Sequence, residues 1–424
     1  MKLLGRGKII ILALAAAALV GGLPAPSGWA GQVTISDQGS HYRVVIDLSD
    51  GSSLAQAGPD YADQILETVP DFEYLVDSYL DEISFHDFIY QVFINRARQI
   101  KASLSQEYRD LIEGMASRMS GGQTNVRGDG RVSEDEAYVV NLITDVARAT
   151  QCSALSVFGS RSVSGRTITS RNLEWETGSQ NQLPRLQAAT TILEGSKSVF
   201  MRGHLGYFGV LSAINDDKVF AAVLDSNSLM WYTSAGKRSY VFDLLEALRT
   251  CSSLDQTAAY VADPAKEYAF NHLVFLSDPD LSKVLENNIS GAGSNMRRAL
   301  RTCHSELNPG VSWGIDNSVC AVNSFVLQGN HDNHTIYDGN YARWNNYRDL
   351  LQAAGEPVGA EELKAMASYL SGTDPGADAG DIYRGGEQQM MIVEPDSLGL
   401  EVFFRPRTGG LPLRPSFERV DVSF

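Results

Sequence analysis

Cysteine is scarce in this chain: four in 424 residues, at positions 152, 251, 303 and 320. That excludes a small scaffold stapled by many disulfides. Histidine is also scarce, with seven copies, and no His-Glu-x-x-His pair occurs. The close pair His331 and His334 lies in an Asn- and Gly-rich stretch with no third ligand in view, so it reads as solvated loop. The Walker loop, a GxGxxG opening a helix after a strand, and GxSxG are all absent. Phosphate-cradling, dinucleotide and serine α/β-hydrolase chemistry therefore have no motif to rest on. Basic charge is in deficit, 35 Lys and Arg against 51 Asp and Glu, for a net −16. Such a chain repels nucleic acid and anionic membrane surfaces, so neither is expected as a partner. Low-complexity blocks and internal repeats are lacking as well.

Long apolar runs are confined to the start. Residues 1–30 carry Lys2, Arg6 and Lys8, then the run IIILALAAAALVGGL, then PAPSGWA with a plausible cut after Ala30. This three-part pattern is that of a secretory leader, and its removal leaves a net charge of −19. An uncleaved anchor is the competing reading, because the run is near the lower limit for spanning a bilayer. The expected location is secreted or periplasmic, with no stable membrane insertion once the leader is gone. In such a compartment disulfides are permitted. If Cys152 stays free, one bridge is available, and Cys303 with Cys320 flank a Pro-Gly loop that suits it. Buried free thiols are the alternative.

The remaining chain is 43% hydrophobic overall, ample for a large core. Residues 31–60 include a β-like run, HYRVVIDLSDG. From about 61 to 150 apolar residues recur at three- and four-residue steps, which predicts several helices. One of these is opened by Ser133 with Glu136 three on, a capping-box pattern. At Cys152 the texture changes. SALSVFGS, RTITSRNLEW, KSVFMRG, GYFGVLSAI and KVFAAVLDS read as strands. Two helices follow (YVFDLLEALRTC, LDQTAAYVAD), then a hairpin (HLVFLSD, SKVLENN), a helix around 293–306, the strand SVCAVNSFVL, two more helices, and the closing strands QQMMIVEP and LEVFFRP. Helices first and strand groups later predict an α+β layered fold with antiparallel sheets. The aromatic stretch FHDFIYQVFI reads as ordinary core or as cover for an apolar entrance.

Two motifs bear on chemistry. NVRGDGRVSEDE at 125–136 outlines a calcium loop through Asn125, Asp129, Gly130, Val132 and Glu136. Arg127, however, puts a cation where a ligand oxygen belongs, so a Gly-rich turn before a capped helix is the expectation. The second motif is Cys152 with Arg171 and Glu174. A papain-type site would want a Gln several residues upstream and a Trp after the cysteine, whereas Gln151 is adjacent and Ser153 follows. Cys152 stands at a helix-to-strand junction, where a cut costs no fold element. Cleavage of Gln151–Cys152 would give it a free α-amine, of pKa about 7.7–8, able to serve as general base to its own thiol. The strand after Cys152 would be followed by one running back antiparallel. That would bring Arg171 near the sulfur to support a thiolate, and Glu174 near the amine as acceptor. A surface ion pair at a strand end is the plain alternative for those two.

CSALSVFGSRSVSGRTITSRNLEWE resembles the opening of the catalytic chain in choloylglycine hydrolase and acid ceramidase-like amidases. The self-processing acyltransferases of the penicillin acyltransferase type share that opening. GYFGVLSAINDDKVFAAVLDSNS, NHLVFLSDPDLSKVLENN, VCAVNSFVLQGN and NYARWNNYRDLL resemble later segments of that family in the same order, over about 152–350. The resemblance implies an αββα N-terminal nucleophile (Ntn) hydrolase sandwich without metal or organic cofactor. It implies Cys152 as nucleophile, Arg171 and Glu174 tuning it, Asn323 and the backbone near Asp225 holding the oxyanion, and Arg343 supporting the site. Glu174 stands where the family has Asp, and Asp225 where it has Asn. The implied organisation is a leader at 1–30, a mostly helical pro-segment at 31–151 and a catalytic chain at 152–424, the two chains staying associated. The implied reaction is hydrolysis or transfer at a small non-peptide N-acyl amide with a lipid or aromatic acyl group. An inactive binding protein on the same fold and a papain-like peptidase are the alternatives carried forward.

Overall fold

A computed structural model describes residues 32–147, 152–195, 197–226, 233–289, 298–330 and 338–424. The leader, Gln151, and both His331 and His334 lie outside the described residues. Residues 32–424 form one compact unit.

The chain opens with strands β1 (Val33–Asp37) and β2 (Tyr42–Asp47). Helices α1 (Leu54–Thr68), α2 (Phe72–Ser84), α3 (Asp87–Lys101), α4 (Gln106–Ala116), α5 (Glu134–Asn141) and α6 (Ile143–Val146) follow. α1 and α4 touch closely because Gly58 faces the backbone of α4, where a Cβ would meet Leu111 O at 2.4 Å. The capping box at α5 forms as its sequence predicts: Ser133 N donates to Glu136 Oε2 at 2.7 Å and Glu136 N to Ser133 Oγ at 3.2 Å. Glu136 and Asn125 are thereby committed to Ser133, and Arg127 pairs with Asp81 and Asp87, so the 125–136 loop is a turn tied to α2 and α3.

From Cys152 the order is β3 (Ser153–Val157), β4 (Ile168–Glu174), α7 (Gln182–Arg185), β5 (Gln187–Glu194), β6 (Lys197–His204), β7 (Ser212–Asn215) and β8 (Phe220–Asp225). Then come α8 (Tyr240–Thr250), α9 (Leu254–Ala262), β9 (His272–Ser277), β10 (Ser282–Asn287) and β11 (Arg298–Arg301). The chain ends with β12 (Ser318–Val322), α10 (Asp338–Ala354), α11 (Ala360–Ala367), β13 (Glu387–Glu394), β14 (Gly399–Phe404) and β15 (Glu418–Arg419).

Two sheets result, nine strands in the order β1-β2-β5-β6-β7-β8-β9-β10-β11 and six in the order β12-β3-β4-β13-β14-β15. They face each other. Ser156 Oγ meets Ser282 Oγ at 2.7 Å and Thr169 Oγ1 meets Ser277 Oγ at 2.8 Å, sheet to sheet. α8 and α9 pack on the larger sheet, α10 and α11 on the smaller. This is a four-layer αββα sandwich. β3 is buried on both faces, and its alternation sorts Ala154 into the inter-sheet core and Leu155 and Val157 into the core under α10.

Four details depart from the sequence reading. The sheets are not wholly antiparallel, since β2 pairs with β5 in parallel. β5 itself carries no strand expectation, because QAATTILE has Ala where alternation would show. The helix around 293–306 is not formed over its described part. Arg298–Arg301 is the edge strand β11, because pairing with β10 and the buried Arg301–Glu286 ion pair, 3.0 Å, override local propensity. All four cysteines are free, so the Cys303–Cys320 bridge does not exist: Cys320 is buried in β12 and Cys303 half-buried beyond β11.

Candidate active site

β3 and β4 form the hairpin that sets the site. Ala154 lies opposite Arg171 and Ser153 opposite Asn172, so the end of β4 returns to Cys152. Cys152 is 1% exposed. Arg171 points into the inter-sheet space, and its Nη2 lies 3.4 Å from Cys152 Sγ and 2.7 Å from Val223 O. A cationic donor at that distance offers a negative sulfur a charge-assisted hydrogen bond.

Asn323 follows β12, whose Val322 is opposite Ser153. Its Oδ1 accepts from Cys152 N at 2.5 Å, and its Nδ2 donates to Asp225 O at 2.7 Å. Arg343, on α10, is fully buried and acts as a hub. It donates to Cys152 O at 3.1 Å, Glu174 Oε1 at 3.3 Å, Asn323 Oδ1 at 3.0 Å and Asn340 Oδ1 at 2.6 Å. Cys152, Arg171, Glu174, Asn323, Arg343 and Asp225 are thus all in one place.

The role expected of Glu174 differs from its position. Three residues apart on a strand means opposite faces, so Arg171 enters the sandwich while the Glu174 carboxylate turns to the α10 side. There it meets Arg343 and, at 3.4 Å, Arg384 Nε. The acceptor at the Cys152 nitrogen is Asn323. Glu174 reaches Cys152 through Arg343 and through its backbone oxygen, 3.9 Å from Sγ.

Sequence reasoning missed Asn340, Arg384 and Glu387. Asn340 lies one helical turn before Arg343, a spacing that could have found it. Glu387 lies cross-strand from Glu174 in the β4–β13 pair, so two buried carboxyls share a face. Asn172 Nδ2 donates to Glu387 Oε2 at 3.0 Å. Burial, then the charge of Glu174, push Glu387 well above the usual carboxylate range. Burial also raises Glu174, opposed by Arg343, Arg384 and Arg171. Both carboxyls are thus raised, Glu174 to about 7, with Arg343 and Arg384 favouring its charged form.

A small pocket lies at Cys152, lined also by Thr144, Ala147, Val223, Asp225 and Tyr240. Thr144, Leu173, Trp175 and Leu211 are shared with a larger, apolar cavity of about 60 Å³. Val76, Tyr79 and Leu80 of α2 and Val140 and Ile143 of the α5–α6 region line the latter. The pre-Cys152 segment therefore builds much of its wall, but not through FHDFIYQVFI: Phe85 and Phe88 are 75% and 68% exposed, while Tyr90 and Ile94 are core.

Asp145 of α6 fastens that segment beside the site. It accepts from Ser239 Oγ at 2.5 Å and Tyr240 N at 3.2 Å, at the start of α8. Burial pushes its carboxyl up from 3.8 to about 7. The native state then holds a proton that the unfolded chain has released, so stability from this group falls as pH rises between those values. Asp145→Asn should remove that component. Between about pH 4 and pH 7 the wild type should lose stability relative to the variant, by about 1.4 kcal/mol for each step of one in pH, read by urea denaturation across that range.

The chain matches no protein-family model. No curated protein sequence matches it either. Solved structures similar to it include an N-acylethanolamine-hydrolyzing acid amidase ortholog from Caenorhabditis elegans, at TM-score 0.41 and 10% identity over 57% of this chain and 93% of that one. A variant of the conjugated bile acid hydrolase from Clostridium perfringens has TM-score 0.38 and 12% identity over 64% of this chain and 97% of that one. Penicillin V acylase from Agrobacterium tumefaciens has TM-score 0.34 and 9% identity over 60% and 83%.

Proposed function

We propose that this chain is a self-processing N-terminal cysteine amidase, exported by its leader, that cleaves or transfers the acyl group of small N-acyl amides. The observation that carries the reading is the engagement of Cys152 at three atoms: its nitrogen by Asn323, its sulfur by Arg171 and its carbonyl oxygen by Arg343. A buried structural cysteine needs none of these contacts. An N-terminal nucleophile needs its amine oriented, its sulfur beside a cation and its first peptide fixed.

In the precursor, Sγ attacks the carbonyl carbon of Gln151. The C–N bond to Cys152 breaks as a C–S bond forms, the thiol proton passes to nitrogen, and water hydrolyses the thioester. The freed α-amine then takes the thiol proton when Sγ attacks a substrate amide. The oxyanion develops on the Asp225 side, near Asn323 Nδ2. The leaving amine receives the proton, and water or another amine resolves the acyl-enzyme. No metal or organic cofactor enters these steps. Among the described residues no histidine bonds Cys152, which weighs against a papain-like peptidase.

The apolar cavity beside Cys152 favours a lipid or aromatic acyl group. Cleavage would leave β2 of the first chain paired with β5 of the second, which supports lasting association of the two. The test is release of free amine from a panel of N-acyl amides, with Cys152→Ala inert. Leu183 is half-buried at the wall of the larger cavity. Leu183→Trp should lower kcat/KM for long acyl chains about tenfold and leave short ones unchanged, consistent with a few methylenes lost from an apolar pocket. Equal loss for both lengths would place the acyl group elsewhere.

A further inference from the structure

Glu286 on β10 is fully buried and its carboxylate serves four donors. Oε1 accepts from Arg301 Nε at 3.0 Å and from Val326 N at 3.1 Å. Leu327 N lies 3.2 Å from both oxygens, and Asn330 Nδ2 donates to Oε2 at 2.9 Å. Arg301, on the neighbouring strand β11, is buried too and has a second acceptor: its Nη2 donates to Cys320 O at 2.7 Å. The pair therefore grips the chain at Cys320, three residues before Asn323, and at Val326 and Leu327, three and four residues after it.

Asn323 stands at the apex of a tight turn, in which Ser324 N donates to Val322 O at 2.6 Å. The direction of its side chain is set by the chain entering and leaving that turn. α10 reaches the turn from the outer face of the smaller sheet: Arg343 donates to Asn323 Oδ1 at 3.0 Å and Asn340 Nδ2 to Ser324 Oγ at 2.7 Å. Glu286 and Arg301 reach it from the larger sheet. That difference bears on the chemistry, because the proposed oxyanion site straddles the two sheets. Asn323 follows β12 of the smaller one, and Asp225, whose carbonyl oxygen is 2.7 Å from Asn323 Nδ2, ends β8 of the larger. A buried ion pair is weak evidence for stability, since apolar replacements often serve as well. What several donors on one buried carboxylate supply is position, each fixing a direction and a distance.

We propose that Glu286 is a positioning residue for the amidase reaction: with Arg301 it clamps the turn after β12 to the larger sheet and so sets Asn323 against Asp225 O. The inference rests on the reading given above, in which the oxyanion develops near Asn323 Nδ2. Glu286 touches neither substrate nor Cys152 in this role and acts through Asn323.

A double-mutant cycle on the full chain tests it, read as kcat per processed chain and as the half-time of self-cleavage. Glu286→Gln keeps the size of the side chain but sets an amide nitrogen among donors. It should lower kcat for an N-acyl amide about 10–100-fold and leave KM within about twofold, the pattern of a misplaced group that acts only in the transition state. In an Asn323→Ala background the same substitution should cost no more than about twofold, because effects that pass through one group do not add. Multiplication of the two losses would overturn the inference by showing a general structural effect. Glu286→Gln turnover within about threefold of wild type would overturn it as well. Should Glu286→Gln not fold, Glu286→Asp carries the same cycle: it keeps a carboxylate beside Arg301 and draws it back one methylene from the Val326 and Leu327 amides. A smaller loss with the same non-additivity is expected there, and additive losses would again overturn the inference. A wild type without Cys152-dependent turnover is a distinct outcome, which would sink the amidase reading and this inference with it.

Discussion

Asn323→Ala is expected to slow turnover of an N-acyl amide by about 10²–10³ in kcat, with KM little changed, and to slow self-cleavage alongside it. The size follows from two functions lost together. Asn323 Oδ1 accepts from the Cys152 nitrogen at 2.5 Å, and Nδ2 donates to Asp225 O at 2.7 Å, on the side where the proposed mechanism puts the oxyanion. Asn323→Asp separates the two. It keeps an acceptor for the amine and loses the donor, so it should process more readily than Asn323→Ala yet remain slow on substrate. Steady-state kinetics and the half-time of cleavage read both effects. An Asn323→Ala enzyme within threefold of wild type would remove Asn323 from the chemistry.

Arg343→Met should act on stability as well as on activity. Arg343 is the common donor to Cys152 O, Glu174, Asn323 and Asn340. Its loss leaves buried Glu174 with Arg384 as its remaining ion-pair partner, beside Glu387. Breaking a buried pair in this way costs roughly 3–5 kcal/mol. Urea denaturation should show that loss, and the variant should remain a single chain. Arg343→Lys should not restore processing, because a point charge cannot serve four acceptors on two sides. A folded, fully processed Arg343→Lys protein would show that charge alone suffices.

The parts of this site legible in the sequence are those that depend on local geometry. The β3–β4 hairpin could be read from two strand-like runs with Gly and Ser turn residues between them, and it brings Arg171 to Cys152 directly. The Ser133–Glu136 cap is local too. Asn323 and Arg343 were reachable only through resemblance of short segments to a known family, since no spacing links them to Cys152. Glu387 left no trace at all: its position beside Glu174 comes from the register of β13 on β4, a pairing between distant parts of the chain. The Glu174 amine contact failed for a simple reason, since a period of two puts residues 171 and 174 on opposite faces. The same long-range pairing explains β11, where an expected helix became an edge strand, and the parallel β2–β5 pair, which no local pattern announces.

The proposed chemistry stands or falls on whether Cys152 becomes an N-terminus by its own action. Intact mass and N-terminal sequencing of the purified mature protein, beside Cys152→Ala, test this directly. Two chains are expected from the wild type, the larger starting Cys-Ser-Ala-Leu, and one uncut chain from the variant. A single uncut chain from both, unchanged after incubation at acidic pH, would show that Cys152 is no N-terminal nucleophile.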